Sequence, residues 1–302
     1  MNKTEMIREL RELTQAGMND CKEAVENCQD DLQKAVDYIK TKGLNIADGR
    51  SGRAASEGVV CLGPVSAGMA SLVEINCQTD FVANSPAFQK FCSVVKEQLA
   101  VDISHNKCQF QHNCDRIESA RKELVATTKE NIVVRRWWIE QSFVVNAVVF
   151  HYVHSNNKIG VLLTVLAPSS EVGASQVFTE LGENLAMQIA AMNPLAVSSE
   201  RLSTEDIDRQ NEIFQTQLKE LNKPQAAWTK ILEGKFAKWY QSVCLLNQEA
   251  VWLNKTTVQQ AINNASIQLG GEIKIVNFVR CQVAEGVITK KDDLAEEVAK
   301  LM

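Results

Sequence analysis

The 302-residue chain lacks the motifs that mark most hydrolases and nucleotide-binding enzymes. It has no Gly-x-Ser-x-Gly elbow, no His-Glu-x-x-His helix and no Gly-x-x-x-x-Gly-Lys-Ser/Thr loop. Neither an elbow serine, nor a helical zinc pair, nor a P-loop for nucleotide phosphates is therefore expected. Histidine is scarce, at positions 105, 112, 151 and 154 only, so catalytic candidates are weak. No apolar run approaches the roughly 18 residues that a membrane span needs. There is no basic excess either: the net charge of −5 and pI near 5.6 argue against a dedicated nucleic-acid surface. Met1–Glu5 leads straight into a helical pattern without an apolar signal core or an Arg/Ser-rich transit composition. The expected compartment is the cytoplasm. No strong internal repeat and no low-complexity tract are visible.

What is present is ordinary for a soluble globular protein, 45% apolar and 23% charged residues. The length suggests two or three modules. The nine cysteines are odd in number and scattered, which fits a reducing compartment rather than a disulfide framework. Cys21, Cys28, Cys77 and Cys92 fall on apolar or helical faces, where a free thiol acts as a small hydrophobe. His105, Cys108, His112 and Cys114 are zinc-capable and close together, but their spacing matches no paired Cys-x-x-Cys knuckle. A polar loop with incidental ligands is the expectation, and metal none.

The periodicity predicts an α+β chain. Residues 1–45 read as a three-helix module: Met6, Ile7, Leu10 and Leu13 mark one helix, Asp20 with Glu23 looks like a capping box for a second, and Asp30 or Asp31 caps a third that Gly43 can end. Residues 46–57 lose the hydrophobic period and read as a polar linker. Strands are expected at Val59–Leu62 and Met69–Cys77, with a turn from Gly63 to Gly68, and helices follow at Phe88–Leu99 and Asp115–Ala126, giving a subdomain over 58–140. A second subdomain, 141–302, has strands at Phe143–Val153, Ile159–Leu166 and Glu272–Val283, and each subdomain is expected to hold an antiparallel sheet. A helical hairpin, a short coiled coil, is inserted at about 203–240.

One stretch joins strand to helix with a large side chain at the joint. Val73, Ile75 and Cys77 alternate with Glu74, Asn76 and Gln78 as in a half-buried strand. Ser85 can N-cap the next helix and Pro86 suits its first position. Thr79-Asp80-Phe81-Val82 lies between. Position alone leaves two readings open: Phe81 as a core aromatic with Asp80 as a cap, or Phe81 presented outward. Likewise Met18, on the turn Thr14–Met18, is either a seal on the helical core or an adaptable contact. His154, at a strand end beside Asn156-Asn157, has no base partner visible in sequence and suits a surface contact better than acid–base chemistry. Of Trp137 and Trp138, adjacent positions that face opposite ways in a strand, at least one is expected in the core.

The residues from Asn76 to Phe88 resemble the signature of the elongation factor Ts family. So do Leu10–Lys22, Glu130–Arg136, Tyr152–His154, Ile159–Leu162, Leu232–Lys235 and Val283–Gly286, in the family's order. The head, 1–45, is similar to ubiquitin-associated domains. The resemblance implies a non-enzymatic nucleotide-exchange factor without cofactors. It would bind elongation factor Tu, both GDP-bound and nucleotide-free, and touch neither nucleic acid nor membrane. Thr79, Asp80, Phe81 and Val82 would displace the partner's Mg²⁺, with Phe81 as the wedge. Arg11, Met18 and Asn19 would face the partner's nucleotide domain, and His154 another of its domains. Asn19 stands where the family usually has a second Met, and Gln15 replaces a usual Gly. The competing expectation is an adaptor whose ubiquitin-associated-like head binds an unrelated partner.

Overall fold

A computed structural model describes residues 2–14, 16–29, 31–39, 41, 53–66, 68–104, 110–221 and 227–287. The helical head comprises α1 (Lys3–Thr14), α2 (Met18–Asn27) and α3 (32–39), closed over Leu10, Cys21, Ala24, Val25, Ala35 and Ile39. Leu13, expected on the buried stripe, is exposed. The expected Asp20 capping box does not form. Gly17 takes the N-cap position and α2 starts earlier, so Asp20 falls inside its first turn, where a carboxylate complements the helix dipole. Asp31 caps α3 through a 3.0 Å bond from the Lys34 amide, and that bond holds its carboxyl below the usual range. Gln15, Asp30, Gly43 and most of the expected linker lie outside the described residues.

Two three-stranded antiparallel sheets follow. The first has the order β1-β2-β3 (Glu57–Ser66, Met69–Cys77, Val133–Gln141); the second has β4-β5-β6 (Ala147–Val153, Ile159–Leu166, Lys274–Gln282). Strand β1 runs past the expected turn at Gly63, crossing an irregularity between Leu62 and Val65. Conversely, Phe143–Val145, expected to begin a strand, form an exposed turn ahead of β4.

Each sheet is covered on one face by its own helices. α4 (Asp80–Ala83), α5 (Pro86–Ser104) and α6 (Asp115–Thr128) cover the first, around Phe88, Val95, Leu99 and Ile132. α7 (Ser170–Gly173), α8 (Gln176–Met192) and α11 (Val258–Gln268) cover the second, around Phe178, Leu185, Ile189 and Ile262. Their other faces meet each other through Val60, Leu72, Val149, Leu162 and Cys281. Gly160 permits this approach, since a Cβ there would lie 2.6 Å from Val60 Cγ1. Trp137 and Trp138 pack on opposite faces of β3, against the helices and against the second sheet respectively.

This stacking corrects the expectation that β2 is half-buried: all nine of its residues are buried. Glu74 is accordingly fully buried, and its carboxylate is satisfied by Arg135 Nη1 at 3.0 Å, Arg136 Nε at 2.5 Å and the Ala284 amide at 2.8 Å. A buried charge without such partners would be strongly destabilising. The network ties the segment after β6 to the first sheet.

The two sheet units are also copies of one design, which sequence inspection does not reveal. Thr79 is matched by Ser169, Val82 by Val172, Ser85 by Ser175 and Phe88 by Phe178, at constant separation. In both sheets the third strand carries a bulge at the matching point, at Arg135 opposite Glu74 and Ile75 in β3 and at Val276 opposite Thr164 and Val165 in β6. The second unit differs by a long insertion between α8 and α11. It carries α9 (Thr204–Glu220) and α10 (Trp228–Val243), which run antiparallel: Phe214 meets Phe236 edge-on at 5.2 Å, and Ile207 lies near Trp239 and Val243. The insertion is closed at its base by a parallel bridge between Ala196 and Cys244, with bonds from Leu195 N to Val243 O and from Leu245 N to Ala196 O.

Candidate functional site

The junction after β2 is built from short-range bonds that the residue types dictate. Thr79, with extended backbone, caps α4 by accepting from the Val82 amide at 3.3 Å. Ser85 donates to Val82 O at 2.8 Å and accepts from the Phe88 amide at 3.2 Å, closing α4 and opening α5 in one residue. Ala83 and Phe88 are buried below, so the turn cannot roll. Phe81 consequently points outward and is 84% exposed.

Of the two readings left open by sequence, the core aromatic is excluded. Asp80 is not the cap either; Thr79 is. The Asp80 carboxylate is exposed and accepts from the neighbouring Phe81 amide at 2.9 Å. An exposed aromatic beside an exposed carboxylate, on a turn locked from beneath, can enter a partner's crevice and compete for a cation or its ligands.

The floor of this turn is Glu130, which sequence reading placed only within a family-like segment. Its Oε2 accepts from the amides of Gln78 and Thr79, both at 3.0 Å, and its Oε1 accepts from the Thr79 hydroxyl at 2.6 Å. Cys77 donates its thiol to Thr79 O at 3.1 Å. Burial, reinforced by the Glu130 charge, pushes that thiol up to about 12, so it stays protonated. No motif rule would have found Glu130, because its partners are distant in sequence.

The remaining candidates occupy two other surfaces. Arg11, Met18 and Asn19 are exposed on the head, so Met18 does not seal the helical core. The head is joined to the sheet body by Lys129 Nζ, which donates to Asp20 Oδ2 at 2.8 Å. His154 is exposed at the end of β4, and its Nδ1 lies 2.9 Å from the Tyr152 hydroxyl. The turn beside it is laced to β1: Asn157 O accepts from Val60 N at 2.7 Å, and Lys158 Nζ reaches Glu57 Oε2 at 2.6 Å. Glu57 pairs with Cys77 at the foot of the Thr79 turn. The head and the His154 turn are thus both braced against chain that adjoins the Thr79–Val82 turn.

His105 and Cys108 lie outside the described residues. His112 stacks on Trp137, with ring centroids 4.4 Å apart. Among the described residues no group of three or more potential ligands comes together for a metal.

Residues 78–285 match the family model described as elongation factor TS. The chain is 38% identical over 287 residues to elongation factor Ts of Lawsonia intracellularis, covering 93% of this chain and 98% of that protein. To the Clostridium kluyveri protein of the same name it is 34% identical, covering 98% and 97%. To that of Nitratidesulfovibrio vulgaris it is 35% identical, covering 98% of each. The adaptor alternative finds no support in these matches, which run through head and body alike. An exposed aromatic on a locked turn, two further surfaces braced around it, and similarity along nearly the whole chain lead to one conclusion: the protein belongs to the elongation factor Ts family, whose members act in translation elongation as nucleotide-exchange factors of elongation factor Tu, by binding rather than by catalysis.

Proposed function

We propose that this chain binds elongation factor Tu in its GDP-bound and nucleotide-free forms, and that Thr79-Asp80-Phe81-Val82 carries the exchange. Phe81 wedges into the partner while Asp80 and the turn dislodge the Mg²⁺ that bridges the nucleotide phosphates. The observation that supports this most directly is the 84% exposure of Phe81 on a turn fixed by Thr79, Ser85 and Glu130. A rigid aromatic buries a large area at small entropic cost, which suits it to anchor an interface. Removing the metal strips charge neutralisation from the phosphates. If the factor prefers the open partner, linkage requires that it weaken GDP by the same factor.

In this reading Arg11, Met18 and Asn19 meet the nucleotide domain, and His154 meets another domain. The head over 1–45 is ubiquitin-associated-like, followed by a linker over 46–57 and subdomains over 58–140 and 141–302. The α9–α10 pair forms the coiled coil. The factor works in the cytoplasm, without nucleic acid or membrane as a partner; among the described residues no helix is long and apolar enough to cross a bilayer.

The test is release of a fluorescent GDP analogue from elongation factor Tu. Loss of a central aromatic anchor costs about 2 kcal/mol or more, so Phe81→Ala should slow release at least about thirtyfold with the unfolding midpoint unchanged. An unchanged rate would remove the wedge role.

A further inference from the structure

The two sheet units diverge at the residue that follows the left-handed position after α6 and after α11. Lys129 and Gly270 both have positive φ, at 57° and 72°. Ile132 and Ile273 are both buried, and Val133 and Lys274 pair with the equivalent residues Asn76 and Leu166. In this register Glu130 corresponds to Gly271. A side chain on Gly271 is barred, because its Cβ would lie 2.5 Å from Pro168. Pro168 itself, the counterpart of Gln78, has no amide hydrogen to offer a carboxylate.

The turn of the second unit nevertheless closes in the same way. Ser169 accepts from the Val172 amide at 3.3 Å, and Ser175 donates to Val172 O at 2.7 Å. A carboxylate is therefore not required for this turn to form. It is present only where the turn carries an exposed aromatic.

We propose that Glu130 is a positioning residue for nucleotide exchange, acting through Phe81. Three hydrogen bonds accepted by one carboxylate hold the Gln78 and Thr79 backbone and the capping hydroxyl. They fix the direction in which the four-residue helix α4 presents its aromatic. A helix of that length has little internal cooperativity with which to hold its own axis. Preorganisation of this kind strengthens binding by sparing the ordering of the contact residues on association. The same three-residue turn also reaches outward: Lys129 bonds Asp20 in α2, and Asn131 Nδ2 donates to Arg53 O at 2.7 Å. The presentation of the wedge and the docking of the head thereby share one anchor.

This inference rests on the wedge reading, and a double-mutant cycle separates the two. GDP-analogue release from elongation factor Tu and unfolding midpoints are measured for full-length Glu130→Ala, Glu130→Gln, Phe81→Ala and the Phe81→Ala/Glu130→Ala pair. Loss of the three hydrogen bonds predicts that Glu130→Ala slows release about tenfold in the parent chain, yet less than about twofold further when Phe81 is already absent. Glu130→Gln keeps an acceptor for the two amides and should recover release to within about threefold of the parent. Equal slowing in both backgrounds would overturn the proposal. So would a Gln variant as slow as the Ala one, since charge would then be the cause. Should Glu130→Ala unfold, Glu130→Asp, which shortens the reach and keeps the charge, replaces it in the cycle. An unaffected Phe81→Ala would sink both readings; a slow Phe81→Ala with additive Glu130→Ala sinks this one alone.

Discussion

The Thr79 turn and the Ser169 turn are built alike and used differently. Both have a hydroxyl cap, a one-turn helix, a serine that closes it and opens the next, and a buried phenylalanine beneath. At the outward position one has Phe81 and the other Glu171, both exposed. Asp80 is matched by Ser170, and Glu130 by Gly271. The comparison teaches that the backbone device is common to both units and that the two turns differ in three side chains. Glu171 presents a charge to water at that position, whereas Phe81 presents an apolar ring.

That contrast can be broken most severely by making the first turn resemble the second. Phe81→Glu should abolish more exchange than Phe81→Ala, because it loses the anchor and sets a charge against an apolar crevice. A slowing beyond about a hundredfold is expected in the fluorescent GDP assay. The packing beneath offers a second route. Cys61 of β1 and Cys92 of α5 pack in the first unit's core, whereas their counterparts are Phe150 and Gly182. A Cβ on Gly182 would lie 2.2 Å from the Phe150 ring. Gly182→Cys should therefore cost about 1–3 kcal/mol in denaturant unfolding by overpacking. Adding Phe150→Cys should recover part of that loss; no recovery would show that the two units are not equivalent there.

Smaller still is loss of a cap. Ser169→Ala should destabilise by about 1 kcal/mol without touching exchange. The matching Thr79→Ala should affect both stability and exchange, and a selective effect at Ser169 would reverse the assignment of roles. Smallest is Glu171→Ala, expected to leave exchange and midpoint within about 0.5 kcal/mol of the parent.

Local chemistry made much of this legible. The Ser85–Pro86 helix start, the apolar face from Phe88 to Leu99 and the continuous apolar run of β5 follow from capping and periodicity. What sequence could not show was set by contacts between distant elements. Glu74 and Asn76 alternate with apolar residues as though facing water, because nothing nearby announces the second sheet that covers them. Phe143–Val145 have strand propensity, but among the described residues no strand pairs with them. The repeat is faint in sequence because only scattered positions recur, such as Val82/Val172, Ser85/Ser175 and Phe88/Phe178, while the residues between them differ. Glu130 is hidden for a related reason, since its importance lies in amides far from it along the chain. At the site itself, Phe81 could be located but not oriented; only the buried Ala83 and Phe88 settle which way it points.

The bridge between Ala196 and Cys244 has a consequence for how this architecture can vary. The chain leaves the second unit and returns to it at neighbouring points, so all that lies between is, topologically, one long loop. Lengthening such a loop costs only a term that grows with the logarithm of its size. The α9–α10 pair is thus a graft on a stem already tied off. It can be trimmed, extended or exchanged for another domain while the stacked sheets, and the turn that carries Phe81, keep their shape.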